Sequence, residues 1–544
     1  MMKKIILPIV AAIALIGFSS ASTNYFEITK YLEIFVGVYK NLNTYYVDEV
    51  DPQELVMKGI DAMLEDLDPY SDFIPSEEID DYNFQSTGEY GGIGATIQKI
   101  DDYITVVSPY EGSPADENGL RAGDKFMIIE GKNMKGKTSQ EVVSLLKGEP
   151  GTPVKVTMGR GDEQFDRTIV REIIKIKNVT YSGMVDGDIA YVKLSSFTTG
   201  ASEEVAEAIQ TLRETNDLKG IILDLKGNGG GLLSEAINVT NVFVPKGQEV
   251  VTIKTKNGMQ DKTYKTRLTA TDTDLPLVVL IDGGTASASE IVSGTVQDLD
   301  RGVIIGRNSF GKGLVQSTRD LAYDSKLKIT TAKYLIPSGR SIQRLNYSLK
   351  DADGRATEIP DSLRKEFTTM NGRSVFDGSG IMPDIEVEAD EFPEIAFALF
   401  AKNYIYEYSL AFKSNNPEIV EPELFKITDA DYAEFKQFLE GKDYSYKTET
   451  EAELEELKKA AEDEKLDASF YDELTDLEAQ LMASKADDLD NYKEEIKYLL
   501  EREIAARYYY TGGRVANGLD DDDEVSAAIE LINNSSEYNK LLQP

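Results

Sequence analysis

Four short apolar runs, separated by helical stretches, constrain this chain more than any other feature. They read IAYVKLSSF (189–197), KGIILDLKGN (219–228), LPLVVLIDGG (275–284) and RGVIIGRNS (301–309). Between them lie ASEEVAEAIQTLRETN and SASEIVSGTVQDLD, which have helical periodicity. Unbroken apolar runs of this length, alternating with helices, predict βαβ units and a mainly parallel sheet over residues 165–391. Ligands of such sheets bind beyond the carboxyl ends of the strands. Three strand ends run into polar, glycine-rich loops: GNGGGLL (227–233), GGTASASE (283–290) and RNSFGKGLVQ (307–316). The three loops are expected to share one rim.

The third loop raises a question. GRNSFGKG (306–313) has the glycine and lysine spacing of a phosphate-binding P-loop, but Gly313 stands where a Ser or Thr should hold magnesium. A nucleotide-binding reading is therefore weak, and Lys312 needs another role. The middle loop offers one. Ser287 or Ser289 falls where a strand turns into a helix, and a helix start has N–H groups free to stabilise an anion. A serine there could attack a carbonyl while the Ala288 N–H and a glycine of the 229–231 run hold the oxyanion. The commoner use of such a serine is only to cap the helix.

A nucleophilic serine needs a base. The chain contains no His and no Cys, which excludes a Ser-His-Asp triad, a thiolate nucleophile, His-ligated zinc and disulfides. A lysine can serve if burial brings its ordinary pKa, about 10.4, down by several units. Lys312 is flanked by glycines, and Gln316, four residues on, can orient the amine without adding charge. Without the serine, a surface lysine in a flexible loop is an equal alternative for Lys312.

The remaining sequence divides by composition. MMKKIILPIVAAIALIGFSSAS has two lysines, an apolar run from Ile5 to Phe18 and small residues at 19–21. This is a signal-peptide pattern over residues 1–21, with an uncleaved membrane anchor as the rival; both imply export. Residues 25–85 are expected to form a small helical domain with Ile28, Tyr31, Leu32, Phe35, Val38 and Tyr39 on one apolar face. Residues 86–162 read as short strands of a compact, partly open β-barrel. Residues 392–544 read as a helical domain; 451–544 hold 26 acidic and 10 basic residues, a solvated acidic face. The net charge of −38 disfavours nucleic acid as a partner.

Several ordered motifs resemble the carboxyl-terminal processing proteases, the tail-specific serine peptidases. They are IDGGTASASEIVSGTVQDLDRGVIIGRNSFGKGLVQ, DLDPYSDFIP, GGIGATI, LDLKGNGGGLL, TTAKYLIPSGRSIQ and GIMPDIEV, and they span most of residues 25–390. The resemblance implies a multidomain α/β protein: an N-terminal helical segment, a PDZ domain at 86–162, a peptidase core and a helical acidic C-terminal domain. It implies Ser287 as nucleophile, Lys312 as general base, Gln316 as its support, and the N–H groups of Ala288 and Gly230 as the oxyanion hole. Ser289 becomes a helix-start residue. Lys226 departs from the family's usual Arg. Gly91, Gly92, Ile93 and Gly94 of the PDZ loop would receive a chain-terminal carboxylate, with the adjoining strand edge accepting an extended peptide. The implied partners are proteins with unstructured C-terminal tails. No metal or cofactor is implied. Localisation would be periplasmic or cell-envelope, with membrane association if the N-terminal segment is retained, and a homo-oligomer is compatible. The rival from another class is a non-catalytic PDZ scaffold that binds tails without cutting them.

Overall fold

The computed structural model describes residues 25–256, 258–389 and 392–544; the signal-like segment lies outside them. The chain forms two compact units, one up to Ser76 together with Gln316–Thr330, the other Glu77–Val315 with Thr331–Pro544. Among the described residues no helix is long and apolar enough to cross a membrane.

In the first unit, residues 25–45 form one helix and Pro52–Glu65 a second. Asp51 starts the second helix by accepting the N–H groups of Gln53 and Glu54 at 2.8 and 3.0 Å, and Pro52 occupies the first turn, where its missing donor costs nothing. In the DLDPYSD turn, Asp68 accepts the N–H groups of Tyr70 and Ser71, both at 2.9 Å. The strand Asp72–Ile74 then pairs antiparallel with Lys326–Lys328. The apolar face expected on the first helix is present, and among the described residues Ile28, Tyr31, Leu32, Phe35 and Val38 are all exposed. Periodicity specifies that a face exists, not what covers it.

In the second unit, the central sheet has the order Val179–Val185, Ile189–Leu194, Gly220–Asp224, Leu277–Ile281, Val303–Gly306, Ile385–Glu386. The first pair is antiparallel and the rest are parallel. Every residue of the three central strands is buried, which is why they read as unbroken apolar runs: both faces are covered. Helices Ala201–Thr215, Leu233–Phe243 and Ala288–Asp298 cover one face through Val205, Ile209, Val239, Phe243, Ile291 and Val292. The other face is covered by the end of the chain. Val525, Ala528, Leu531, Ile532 and Tyr538 pack on Ile222, Val278, Leu280, Val303 and Ile305. The C-terminal helical region thus has a core of its own, around Tyr408, Phe435, Ile496 and Leu500, but its last helices also complete the α/β sandwich.

The PDZ region is a strand-rich body with the edge strand Ala95–Ile100, followed in order by Tyr103–Pro109, Lys125–Ile129, Pro153–Arg160 and Glu163–Val170. The last strand carries the sheet past residue 162. Ile104, Val106, Phe126, Val142, Val154 and Met158 fill its core. The helical region holds the PDZ directly: the Tyr406 hydroxyl donates to the Val106 carbonyl at 2.9 Å, and the Arg507 guanidinium to that of Val107 at 2.6 Å.

Arg340, from the SGRSIQ segment, is buried against the end of helix Ala288–Asp298. Its Nη2 lies 2.9 Å from Asp298 Oδ1 and donates to Gln297 Oε1 at 2.7 Å. Removing one partner of a buried ion pair strands the other charge, so Arg340→Ala should lower the unfolding free energy by about 3–5 kcal/mol in denaturant titration. Removing both charges with apolar replacements should cost less.

Candidate active site

The three loops do leave adjacent parallel strands at one edge. Leu280 lies opposite Asp224 and Ile281 opposite Gly306, so the strand ends are level. Lys312 leads into a strand, Leu314–Asp320, not into the helix a P-loop requires. The N–H groups that a P-loop would turn toward phosphate are taken. Those of Gly311 and Lys312 go to the Glu290 carboxylate, and that of Gly313 goes to Gln343 Oε1 at 2.8 Å.

Ser287 is the residue before helix Ala288–Asp298 and has φ 57° and ψ −111°. For a residue with a Cβ this conformation costs about 1–3 kcal/mol and survives only where neighbours over-determine it. They do. The Ser287 N–H donates to Glu290 Oε2 at 2.8 Å. The Ala286 N–H donates to the Asn228 carbonyl at 3.0 Å, and the Ile291 N–H to the Ser287 carbonyl at 3.0 Å. Ala288 is the first helical residue, so its N–H is one of the four with no acceptor inside the helix. Ser289 is fully buried and donates its hydroxyl to the Asn228 carbonyl at 2.9 Å, as a helix-start residue would.

Glu290 joins the serine and lysine loops. It is wholly buried. Its Oε2 accepts the N–H of Ser287 and also that of Lys312, at 2.9 Å. Its Oε1 accepts the Gly311 N–H at 2.7 Å and the Ser309 hydroxyl at 2.5 Å. The backbones of Ser287 and Lys312 are therefore bound to a single oxygen atom, two hydrogen-bond lengths apart at most. Tyr334 makes a second tie: its hydroxyl points at the carbonyls of both Lys312 and Ser287, 3.2 Å from the latter. Ser287 and Lys312 are each half-buried. Gln316 belongs to the other compact unit, where its amide donates to Thr330 Oγ1 at 3.0 Å.

The glycine loop reaches the same place. A Cβ on Gly230 would stand 2.7 Å from the Ala286 carbonyl oxygen, 2.8 Å from Ala288 N and 2.9 Å from Ser287 Cβ. Its φ of 98° also favours glycine. Only a glycine lets this backbone lie against the helix start. The Gly230 N–H is not free: it donates to Asn228 Oδ1 at 2.9 Å, because an Asn side chain readily closes a turn with the backbone two residues on. Asn228 is itself buried and anchored through Nδ2 to the Leu194 carbonyl at 2.8 Å.

In the PDZ region, Glu89–Gly92 pairs with Glu172–Lys175, and a Cβ on Gly91 would strike the Gly148 carbonyl at 2.2 Å. The carbonyls of Ile93 and Gly94 are used by Ala115 and Tyr110. Among the described residues their N–H groups meet no backbone acceptor. They lie beside the edge strand Ala95–Ile100, whose outer side has no strand partner in the sheet.

Sequence reasoning missed Glu290, Tyr334 and Asn228. Glu290 had a signal: Ser287-Ala-Ser-Glu290 is the S-x-x-E spacing of a capping box. Tyr334 sits inside TTAKYLIPSGRSIQ and carried none of its own.

Comparison with known proteins identifies the domains. Residues 188–348 match peptidase family S41, residues 91–169 match the PDZ domain, and residues 395–532 match the C-terminal helical domain of probable PDZ-proteases. The carboxy-terminal-processing protease of Bartonella bacilliformis is 39% identical over 338 residues, which cover 61% of this chain and 77% of that protein. A probable CtpA-like serine protease of Staphylococcus aureus is 38% identical over 308 residues, 56% of this chain and 61% of that one, so the match spans less than two thirds of its length. Among solved structures, a photosystem II D1 C-terminal processing protease is 25% identical, with 66% of this chain and 94% of that chain covered at a TM-score of 0.35. The chain belongs to the carboxy-terminal-processing proteases of peptidase family S41, with a PDZ domain and a helical C-terminal domain.

Proposed function

We propose that this chain is an exported serine endopeptidase that binds unstructured C-terminal tails through its PDZ domain and cuts peptide bonds with a Ser287/Lys312 dyad. The observation that carries this reading is the single Glu290 oxygen that accepts the N–H groups of both Ser287 and Lys312. Neutral Lys312 takes the proton of Ser287 Oγ as that oxygen bonds to the scissile carbonyl carbon. The N–H groups of Ala288 and Gly230 hold the oxyanion. Collapse breaks the C–N bond, and the Lys312 ammonium returns its proton to the leaving amine. Water, deprotonated by Lys312, then releases the acyl group from Ser287. The tail carboxylate is received at Gly91, Gly92, Ile93 and Gly94, chiefly by the N–H groups of Ile93 and Gly94 just past the strand Glu89–Gly92, and the tail adds as a strand to the edge Ala95–Ile100. Export to the periplasm or cell envelope follows from the N-terminal segment, which would hold the protein at the membrane if retained. The exposed apolar face of helix 25–45 supports a homo-oligomer.

Ser287→Ala and Lys312→Ala should each lower kcat on a tail peptide by at least about 10³-fold, and Lys312→Arg should not rescue, because Arg cannot give up its proton. A wild type that binds tails but never cuts them would instead establish the scaffold alternative. Amidating the tail's C-terminus should weaken binding by about tenfold or more, the value of a charge-assisted contact; unchanged affinity would exclude carboxylate capture.

Glu290→Gln offers one oxygen where four donors converge, leaving buried N–H groups unpaired at about 1–3 kcal/mol each. Its kcat should fall by about 10–100-fold with KM little changed, since the loss is of alignment. Burial pushes the Glu290 carboxyl above its ordinary pKa, opposed by the Ser309 hydroxyl and the N–H groups of Lys312, Ser287 and Gly311. A raised folded pKa gives stability that is full below the unfolded value, about 4.3, and is lost as pH rises through the raised value. Melting curves should therefore show wild type losing stability relative to Glu290→Gln as pH rises above about 4.3, the unfolded value.

A further inference from the structure

Lys226, where the family's usual Arg is replaced, finds its counter-charges at the far end of the chain. Its Nζ donates to Asp522 Oδ2 at 2.6 Å and Glu524 Oε2 at 3.2 Å. The three side chains are mostly buried, with 14%, 21% and 11% exposed. Burial pulls the ammonium's pKa down, but Asp224, Asp522 and Glu524 outweigh it and hold it above its ordinary value, so Lys226 stays charged.

Lys226 is also the first residue of the glycine loop. Its N–H donates to Asp224 Oδ1 and its carbonyl accepts from Lys193 Nζ, both at 2.7 Å. Gly227, Gly229, Gly230 and Gly231 come next, interrupted only by Asn228. A glycine run has little stiffness of its own, so its course is set by its anchors. At the far end, the Phe197 N–H donates to the Gly230 carbonyl at 3.2 Å and the Leu232 N–H to the Phe197 carbonyl at 2.8 Å. Between the ends, the Gly227 N–H donates to Asp282 Oδ1 at 2.9 Å and the Asn228 side chain to the Leu194 carbonyl at 2.8 Å. At the near end stand Asp224 and the carboxylates on Lys226. Those carboxylates are themselves fixed. Asp522 caps helix Asp523–Asn533 through the Val525 N–H at 3.0 Å, and that helix is packed on the central sheet.

We propose that Asp522 and Glu524 are positioning residues for peptide-bond hydrolysis, acting through Lys226 to hold the Gly230 N–H beside Ser287. The C-terminal helical region then completes the peptidase site as well as the core. This inference rests on the serine-peptidase reading.

The test uses the full chain, a quenched fluorescent tail peptide, and a peptide aldehyde that forms a tetrahedral adduct with Ser287. Asp522→Asn keeps the helix cap, since Asn serves there as well as Asp, and removes the charge; it is combined with Glu524→Gln. The double variant should lose about 10–100-fold in kcat, with the aldehyde's inhibition constant rising in proportion and KM within about twofold of wild type. Lys226→Glu should be impaired similarly, and adding Asp522→Lys should restore at least about tenfold, as a direct charge pair requires. Wild-type kcat and aldehyde affinity in the double variant would overturn the inference. So would a loss that follows melting temperature and is not restored by the reversed pair. A wild type that does not cleave at all overturns the peptidase reading instead, so the two failures are distinct.

Discussion

One buried carboxylate sets the geometry on which the site depends. Taking an ionised carboxyl out of water costs several kcal/mol unless its oxygens are fully satisfied. Glu290 meets that condition with four donors, one from its own helix start and three from the loop 309–312. The Ser309 hydroxyl extends the network by accepting the Ile381 N–H at 2.7 Å, which brings in the GIMPDIEV segment. No donor can be moved far without stranding a buried charge. The strained backbone of Ser287 is tolerable for this reason: its N–H and carbonyl are both held by groups that are held themselves. Burial raises the carboxyl's pKa, so the ionised form works against stability at neutral pH. That is the stability–function exchange expected where geometry matters more than fold free energy.

The parallel core was legible because its central strands are buried on both faces and leave unbroken apolar runs. The rim followed from topology, since the polar residues after each run had to emerge at the strands' carboxyl ends. Less legible were features that depend on which strand neighbours which. Glu290 at three residues after Ser287 reads as a local cap. Its bonds to Gly311 and Lys312 exist only because Leu277–Ile281 and Val303–Gly306 are adjacent. The covering of the sheet's second face by Val525 to Tyr538 was hidden for a similar reason: an amphipathic helix announces an apolar stripe but not its partner. The helix of residues 25–45 makes the same point in reverse, with a stripe as regular that is exposed among the described residues.

The charge pattern bears on how the site is held. Acidic residues outnumber basic ones 96 to 58, so basic side chains can act as ties. Arg340 meets Asp298, Arg373 meets Asp300 and Asp384, and Lys226 meets Asp522 and Glu524. Each joins segments distant in sequence around the α/β core. With no histidine, the chain lacks the side chain whose ordinary pKa lies between pH 5 and 8. Glu290, at the junction of the serine and lysine loops, is a carboxyl whose pKa burial pushes upward, and it is the displaced group that matters for geometry.

The bond from the Gly230 N–H to Asn228 bears on selectivity for the transition state. A ground-state carbonyl approaching Ser287 would have to replace one neutral acceptor, the Asn228 amide oxygen at 2.9 Å, with another. Net neutral hydrogen bonds are worth about 0.5–1.5 kcal/mol, so that exchange gains almost nothing. An oxyanion is different. Bonds to a charged acceptor are roughly twice as strong, about 1.5–3 kcal/mol, so only the developing charge draws the N–H away from Asn228 with a net gain. A donor that is engaged at rest thus contributes little to substrate binding and more to the tetrahedral state, and only such a difference accelerates the chemical step. In the proposed mechanism the engaged glycine would keep its oxyanion role, with Asn228 holding a flexible loop in order until charge forms.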